Sequence, residues 1–270
     1  YFGDGGRWGV DIKYVNQGEP LGTAHALGMV KKFVDDEFIV ISGDTIIGVE
    51  DIKKILKKGT KIGICETKNA KEYGIVEVEN KKLKKIHEKM EKPPTRMANA
   101  GLYLFTPDIF NAITRTVKSP RGEYEITDAL KLMIDSGHEI YYQEITSWLD
   151  LSYPWDLLSA NESLLAGLEP QNLGEVEENV VLRGLVVIGK ETVIRSGAYI
   201  VGPVIIGEGC EIGPNCYIRP STAIGDGCHI GAAVEVKNSI IMKGSKLPHH
   251  NYVNPRIRYY WRFDVGRGDR

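Results

Sequence analysis

The segment FIVISGD, residues 38–44, is an apolar and largely β-branched run that ends in Gly-Asp, so it delivers a carboxylate, Asp44, at the end of a strand. A hard cation such as Mg²⁺ takes few carboxylates and fills its remaining positions with phosphate oxygens and water, and a strand terminus holds such a group rigidly. Taken alone, a strand-end Asp is more often a turn former. In LGTAHA, residues 21–26, Gly22 permits close approach to the backbone and Thr23 can cap a following helix, which makes a strand-to-helix turn. His25 in that turn reads as a packed or capping side chain rather than a catalytic group. The four cysteines, Cys65, Cys210, Cys216 and Cys228, form no C-x-x-C pair and have no His at zinc-site spacing, so they read as packing residues.

Two kinds of element must position these groups. From Asp11 to about Leu165, short β-branched runs alternate with helical stretches, the pattern of an α/β domain. FIVISGD reads as a buried parallel strand, KIGICET, YGIVEVEN and NAGLYLF as further strands, and IKKILKKG as a helix. TDALKLMIDSG reads as an amphipathic helix with a Thr cap and a Gly stop. Asp156 reads as an ordinary helix-start residue. Beyond the polar stretch EPQNLGEVEEN the period becomes six: Ile188, Ile194, Ile200, Ile206, Ile212, Ile218, Ile224 and Ile230, extended by Val236 and Met242. Four residues after each of the first nine stands a mostly small or β-branched side chain, from Thr192 to Ile240. Constant spacing over so many repeats specifies a parallel β-helix of triangular section, with aliphatic side chains inward and Gly or polar residues at the corners.

These segments together resemble the sugar-phosphate nucleotidyltransferases, and from Tyr1 to about Tyr252 the bifunctional uridylyltransferase/acetyltransferase type that makes UDP-N-acetylglucosamine, especially its archaeal relatives. The resemblance implies an α/β fold: a Rossmann-like nucleotidyltransferase domain followed by a left-handed parallel β-helix of hexapeptide repeats. It places Gln17, Gly22 and Thr23 of QGEPLGTAHAL against the pyrimidine of the nucleotide, and it joins Asp44 to Asp150 of SWLDLSYPWDLL on a Mg²⁺ ion. Gly74 of KEYGIVEVEN and Asn99 of the A-N-x-G-x-Y motif would meet the sugar. Glu91 and Lys92 match the family's E-K-P pair, the acid accepting sugar hydroxyls and the catalytic lysine holding the sugar phosphate. In the repeat half, Arg219, Lys237 and Tyr252 fall on sugar-phosphate positions, and His249 on that of the general base that would deprotonate an amino sugar attacking acetyl-CoA.

The implied reaction is nucleotidyl transfer from UTP or dTTP to a hexose 1-phosphate, with acetyl-CoA a further co-substrate; a non-catalytic sensing or assembly subunit using the same folds is the alternative. The family's opening phosphate loop, L-A-A-G-x-G-x-R, has no counterpart after Tyr1, so the first domain is expected to be incomplete at its N-terminus. Expected boundaries are 1–167 for that domain, 168–178 for a linker, 179–252 for the β-helix and 253–270 for a basic, aromatic tail without the six-residue period. A net charge of −2 supplies no field for nucleic acid. No apolar run approaches the roughly 20 residues of a membrane span, and the start lacks a signal-peptide layout. The expected partners are therefore a nucleoside triphosphate and a sugar 1-phosphate, without nucleic acid or membrane, in a cytoplasmic homo-oligomer, most simply a trimer.

Overall fold

The computed structural model describes residues 1–57 and 59–258, which divide into two compact units, Tyr1–Asp150 and the chain from Leu151 onward. In the first unit, β1 (Phe38–Ile41), β3 (Lys61–Glu66), β4 (Ile75–Glu79), β5 (Lys82–His87), β6 (Met97–Phe105) and β7 (Tyr141–Glu144) form one sheet in the order β1-β6-β3-β7-β5-β4. A separate antiparallel pair joins β2 (Thr45–Ile47) to β8 (Trp148–Asp150). The helices are α1 (Thr23–Met29), α2 (Val49–Ile55), α3 (Ile109–Ile113) and α4 (Ile126–Asp135).

The period of two in β6 sorts its side chains into two cores. Tyr103 and Phe105 pack with residues of α1, α3 and α4, among them Leu27, Phe110, Ala129 and Met133. Ala98, Ala100, Leu102 and Leu104 face the other way, toward Ile55 of α2, Cys65, Ile75 and Ile145. Both β1 and β3 run antiparallel to β6, whereas β7 is parallel to β3. FIVISGD is therefore not bonded to a parallel neighbour as the sequence suggests; it runs in the same direction as β3, with β6 between them. The helix α4 starts at Ile126 with no side-chain cap, because the Thr127 hydroxyl bonds Glu88 instead. Its stop is as expected, with Gly137 at φ 84°.

In the second unit, α5 (Asp156–Leu165) packs against residues of the strands at 222–224 and 239–241, and Asn161 Nδ2 donates to the Ser221 carbonyl at 2.9 Å. Asp156 does act at the helix start, where its Oδ2 accepts the Tyr153 N–H at 2.7 Å. The remainder is a stack of coils whose parallel strands form three faces. Register runs 18 residues per coil, as in Ile188↔Ile206↔Ile224 on one face and Ile194↔Ile212↔Ile230 on the next. The predicted column from Ile188 to Val236 is buried throughout, in one core that continues to Val253.

Four expectations for this half change. After Val236 the inward series slips by one residue: Ile241 is buried and Met242 exposed, and Ser239 takes the small-residue position expected for Ile240. The corner at Lys237-Asn238 is one residue shorter than Arg219-Pro220-Ser221 above it, so Ala223 stands opposite Ile240, 17 residues on. The stretch 168–178 is not a linker, since Gln171–Asn172 and Glu175–Val176 are strands of the first coil. Nor does the helix end at Tyr252: Val253 is fully buried, and Arg256–Arg258 pairs with Ser239–Ile241. Residues 259–270 of the expected tail lie outside the described residues. Likewise α5 belongs to the second unit, although it is expected within 1–167. Among the described residues no helix is long and apolar enough to cross a membrane.

Candidate active site

Asp44 and Asp150 lie far apart in sequence, and one ladder brings their stretches of backbone together. In the β2–β8 pair, Thr45 stands opposite Asp150, which puts Asp44 one residue from that cross-strand partner. A hydrogen bond and a close approach that only glycine allows hold the turn that carries Asp44 on β6. The Ser42 N–H donates to the Gly101 carbonyl at 2.9 Å, Gly101 has φ 70°, and a β-carbon there would stand 2.6 Å from Ser42 Oγ. Gly101 is thus the one residue of β6 that lets the Ser-Gly-Asp turn sit against it. Around Asp150, Tyr73 donates its hydroxyl to Oδ2 at 3.3 Å and packs edge-on against Trp148 at 5.1 Å, while Trp148 Nε1 donates to the Ala100 carbonyl. Asp44 is exposed and Asp150 half-buried. Two hard oxygen donors, with no third His, Cys, Asp or Glu gathered beside them among the described residues, suit an ion that completes its shell with water and phosphate.

A second cluster forms where β4 meets β5 and β6. Ile75 of β4 stands opposite His87, so Gly74 and Glu88 flank that pair, and the Asn99 N–H donates to the Gly74 carbonyl at 2.8 Å. A β-carbon on Gly74 would lie 3.3 Å from Glu88 Oε2 and 3.4 Å from Thr127 Cγ2. Glu88 accepts from Thr127 Oγ1 at 3.1 Å and from Arg121 at 3.3 Å. Burial, and then the nearby Glu125 carboxylate, push the Glu88 carboxyl above its ordinary range. Asn99 Nδ2 donates to the Tyr103 hydroxyl at 2.7 Å, and burial pushes that phenol up to about 12.

The sequence places the acid of this cluster at Glu91; the structure places Glu88 there. Glu91 is exposed and bonds Lys71, and Lys92 is exposed beside it. The residues EKMEKPP carry the Glu-Lys step twice, and only the second has the Pro that the motif asks for. Strand register sets the first of them beside Gly74, with Lys89 following Glu88 at φ 32°.

The third group is the turn into α1. Gly22 has φ 111°, and a β-carbon there would fall on the Tyr124 carbonyl oxygen. Thr23 does not cap its helix; its Oγ1 accepts the Ile126 N–H at 3.0 Å, fastening the turn to the start of α4. Gln17 Nε2 lies 3.2 Å from the Gly22 carbonyl and 3.0 Å from His25 Nδ1. Gln17, Gly22 and Thr23 are thus brought together, with His25 added.

On the β-helix, Arg219 and Lys237 follow successive strands of one face and stack at one corner, Arg219 paired with Glu235 at 2.9 Å. Tyr252 stands opposite Glu235 on the same face, 57% exposed. His249 lies at a different corner of the coil, between the strands at 246–247 and 252–253. Its Nδ1 accepts the Ala232 N–H at 2.7 Å. A neutral ring bound in this way carries its proton on Nε2 and presents a donor, so Nδ1 must leave Ala232 before the ring can act as a base. Within one chain the four residues do not converge.

The chain has counterparts among known proteins. The Nucleotidyl transferase family model matches residues 1–167, and the chain belongs to that family. The model of the GMPPB C-terminal domain matches residues 200–267. Among curated relatives, the "Bifunctional protein GlmU" of Methanocaldococcus jannaschii is 40% identical over 247 residues, which cover 91% of this chain and 60% of the relative. The "Bifunctional sugar-1-phosphate nucleotidylyltransferase/acetyltransferase" of Sulfurisphaera tokodaii is 42% identical over 253 residues, covering 92% and 62%. The chain thus spans about three fifths of the length of these relatives. A solved Bacillus anthracis chain, assigned as a glucose-1-phosphate thymidylyltransferase and bound to sucrose, superposes with a TM-score of 0.54 at 30% identity, over 63% of this chain and 72% of that one.

Proposed function

We propose that the protein transfers a uridylyl or thymidylyl group from UTP or dTTP to a hexose 1-phosphate. An oxygen of the sugar phosphate attacks the α-phosphorus, the bond from that phosphorus to the bridging oxygen breaks, and pyrophosphate departs. The reading is carried by the β2–β8 register, which sets Asp44 one residue from the position opposite Asp150. Asp44 and Asp150 would hold Mg²⁺, which when bound supplies positive charge to the phosphate oxygens. Glu88 and Asn99, beside the Gly74 backbone, offer the acceptors and donors that a hexose presents partners for. Lys89, adjoining Glu88, is the nearer candidate for the sugar phosphate than Lys92. Gln17, Gly22 and Thr23 would receive the base. Catalysis then rests on alignment and on charge placed where the transition state develops it.

The test is pyrophosphate release by the full-length protein with Mg²⁺, UTP or dTTP, and a panel of hexose 1-phosphates. Turnover that falls at least about 100-fold in Asp44→Asn and Asp150→Asn supports the proposal. No turnover with any pair of substrates would retire it and leave the sensing or assembly subunit.

Acetyl transfer from acetyl-CoA is a second reading, supported by the stacked cations Arg219 and Lys237 and by the similarity to bifunctional relatives. Because His249 stands at another corner from that pair, a complete site would have to draw residues from a second copy, consistent with the trimer expected from sequence. Acetylation of glucosamine 1-phosphate that survives His249→Ala would rule His249 out as the base.

A further inference from the structure

The sequence sets His25 aside as a packing residue, yet its ring meets the side chain expected to read the base. An amide such as that of Gln17 has two N–H donors and one carbonyl acceptor, and the way it faces decides which it can offer a ligand. Two partners hold the orientation here, and the first of them cannot donate. The Gly22 carbonyl lies 3.2 Å from Gln17 Nε2 and also accepts the Ala26 N–H at 3.1 Å. Gly22 itself cannot shift easily, since its φ of 111° and its packing on the Tyr124 backbone hold it. With Nε2 committed to that carbonyl, its contact with His25 Nδ1 at 3.0 Å is a hydrogen bond only if the imidazole nitrogen accepts. His25 thus carries its ring proton on Nε2 and takes the second N–H of the amide. What Gln17 has left for a ligand is the Oε1 acceptor.

We infer that His25 is the positioning residue that makes Gln17 a reader of bases bearing an N–H at ring position 3, uracil and thymine, and a rejecter of cytosine, whose N3 is an acceptor. The inference rests on the proposed placement of the base at Gln17, and it adds the residue that, with the Gly22 carbonyl, keeps the acceptor face of the amide toward the ligand. Without an acceptor at His25, only the Gly22 carbonyl resists a turn of the amide, and the orientation that presents a donor becomes accessible. Cytosine then gains a partner and uracil loses one.

The experiment measures UTP and CTP affinity by calorimetry, in the presence of Mg²⁺, for the full-length protein and for Gln17→Ala, His25→Leu and His25→Asn. The expected preference of the unchanged protein for UTP is at least about tenfold. It should shrink to about threefold or less in His25→Leu and return in His25→Asn, whose side-chain oxygen can accept the same N–H. Because each preference is a ratio within one variant, loss of folded protein lowers both affinities and leaves it unmoved. Full preference retained in His25→Leu overturns the role of His25 while leaving Gln17 in place. Gln17→Ala binding UTP as before, or no UTP binding by the unchanged protein, overturns the base site itself and the inference with it.

Discussion

Glu88 and Glu91 differ in what their surroundings leave for a ligand to gain. Glu88 is held by Thr127 and Arg121 beside Gly74, whereas Glu91 bonds a lysine in solvent, where an exposed pair contributes little. Glu88→Gln should raise the KM for the sugar 1-phosphate by about tenfold or more, the scale of a lost charge-assisted hydrogen bond. Glu91→Gln should leave it within about twofold. Initial-rate kinetics of the two variants side by side decide the matter, and the opposite ranking would return the site to the E-K-P motif. Asp51 has a structural task. It is buried at the start of α2 and accepts the Thr146 and Ser147 N–H groups at 2.8 Å, with Lys54 as its ion pair. Burial alone would raise its pKa, but these bonds outweigh it and hold the group at about 2. Because the folded value lies below the unfolded one, the stabilisation is fully present above about pH 4 and is lost as pH falls toward 2. Asp51→Asn should cost about 1–3 kcal/mol at neutral pH, and the gap to the unchanged protein should narrow below pH 4, measured as urea midpoints across pH.

The elements show which parts of the fold are legible in the sequence. The hexad is, because every inward residue from Ile188 to Val236 obeys one spacing rule and stacking multiplies the signal. The slip after Val236 is not, because Met242 satisfies the hydrophobic pattern as well as Ile241 does; the corner at Lys237-Asn238 alone chooses between them. Glu88 is hidden for a similar reason: its position follows from pairing β4 with β5 across the Asn80-Lys81 turn, whose residues have φ of 51° and 63°, with an irregularity at Glu77/Val78 that shifts the count. The pairing that brings the stretch after Asp44 opposite Asp150 is not legible in local pattern, since a ladder between residues a hundred positions apart leaves no local period. The Gly that follows five of the inward Ile residues, at 189, 207, 213, 225 and 231, has a packing cause: a β-carbon on Gly213 would stand 2.7 Å from the Gly231 carbonyl carbon in the next coil. Gly213→Ala should therefore destabilise the β-helix by about 1–3 kcal/mol, and an unshifted urea midpoint for that unit would show that the coils can part to admit a methyl.

At the scale of the whole chain, the four cysteines serve as built-in reporters, because all are buried and they are divided between separate cores. Cys65 packs with Leu102, Leu104 and Ile145 in the first unit; Cys210, Cys216 and Cys228 belong to the column inside the coils. Each of those three donates its thiol to a carbonyl farther along the stack, as Cys216 does to Gly231 at 3.0 Å, so the column uses sulfur to satisfy corner oxygens as well as to fill space. Burial pushes the Cys65 thiol up to about 12, with the Asp150 carboxylate adding to it, which makes it inert to thiol reagents until its unit opens. Since among the described residues none is shared between the β-helix core and the cores of the first unit, a cavity in one should not loosen the other. Phe105→Ala removes a fully buried ring beside Tyr103 and should cost the first unit about 3–5 kcal/mol. In urea, that variant should expose one thiol to a disulfide reagent at lower denaturant than the unchanged protein, while the other three react where they did before. Mass spectrometry of the labelled peptides identifies which thiol moved. Four thiols shifting together would mean that the chain unfolds as one cooperative body despite its separate cores.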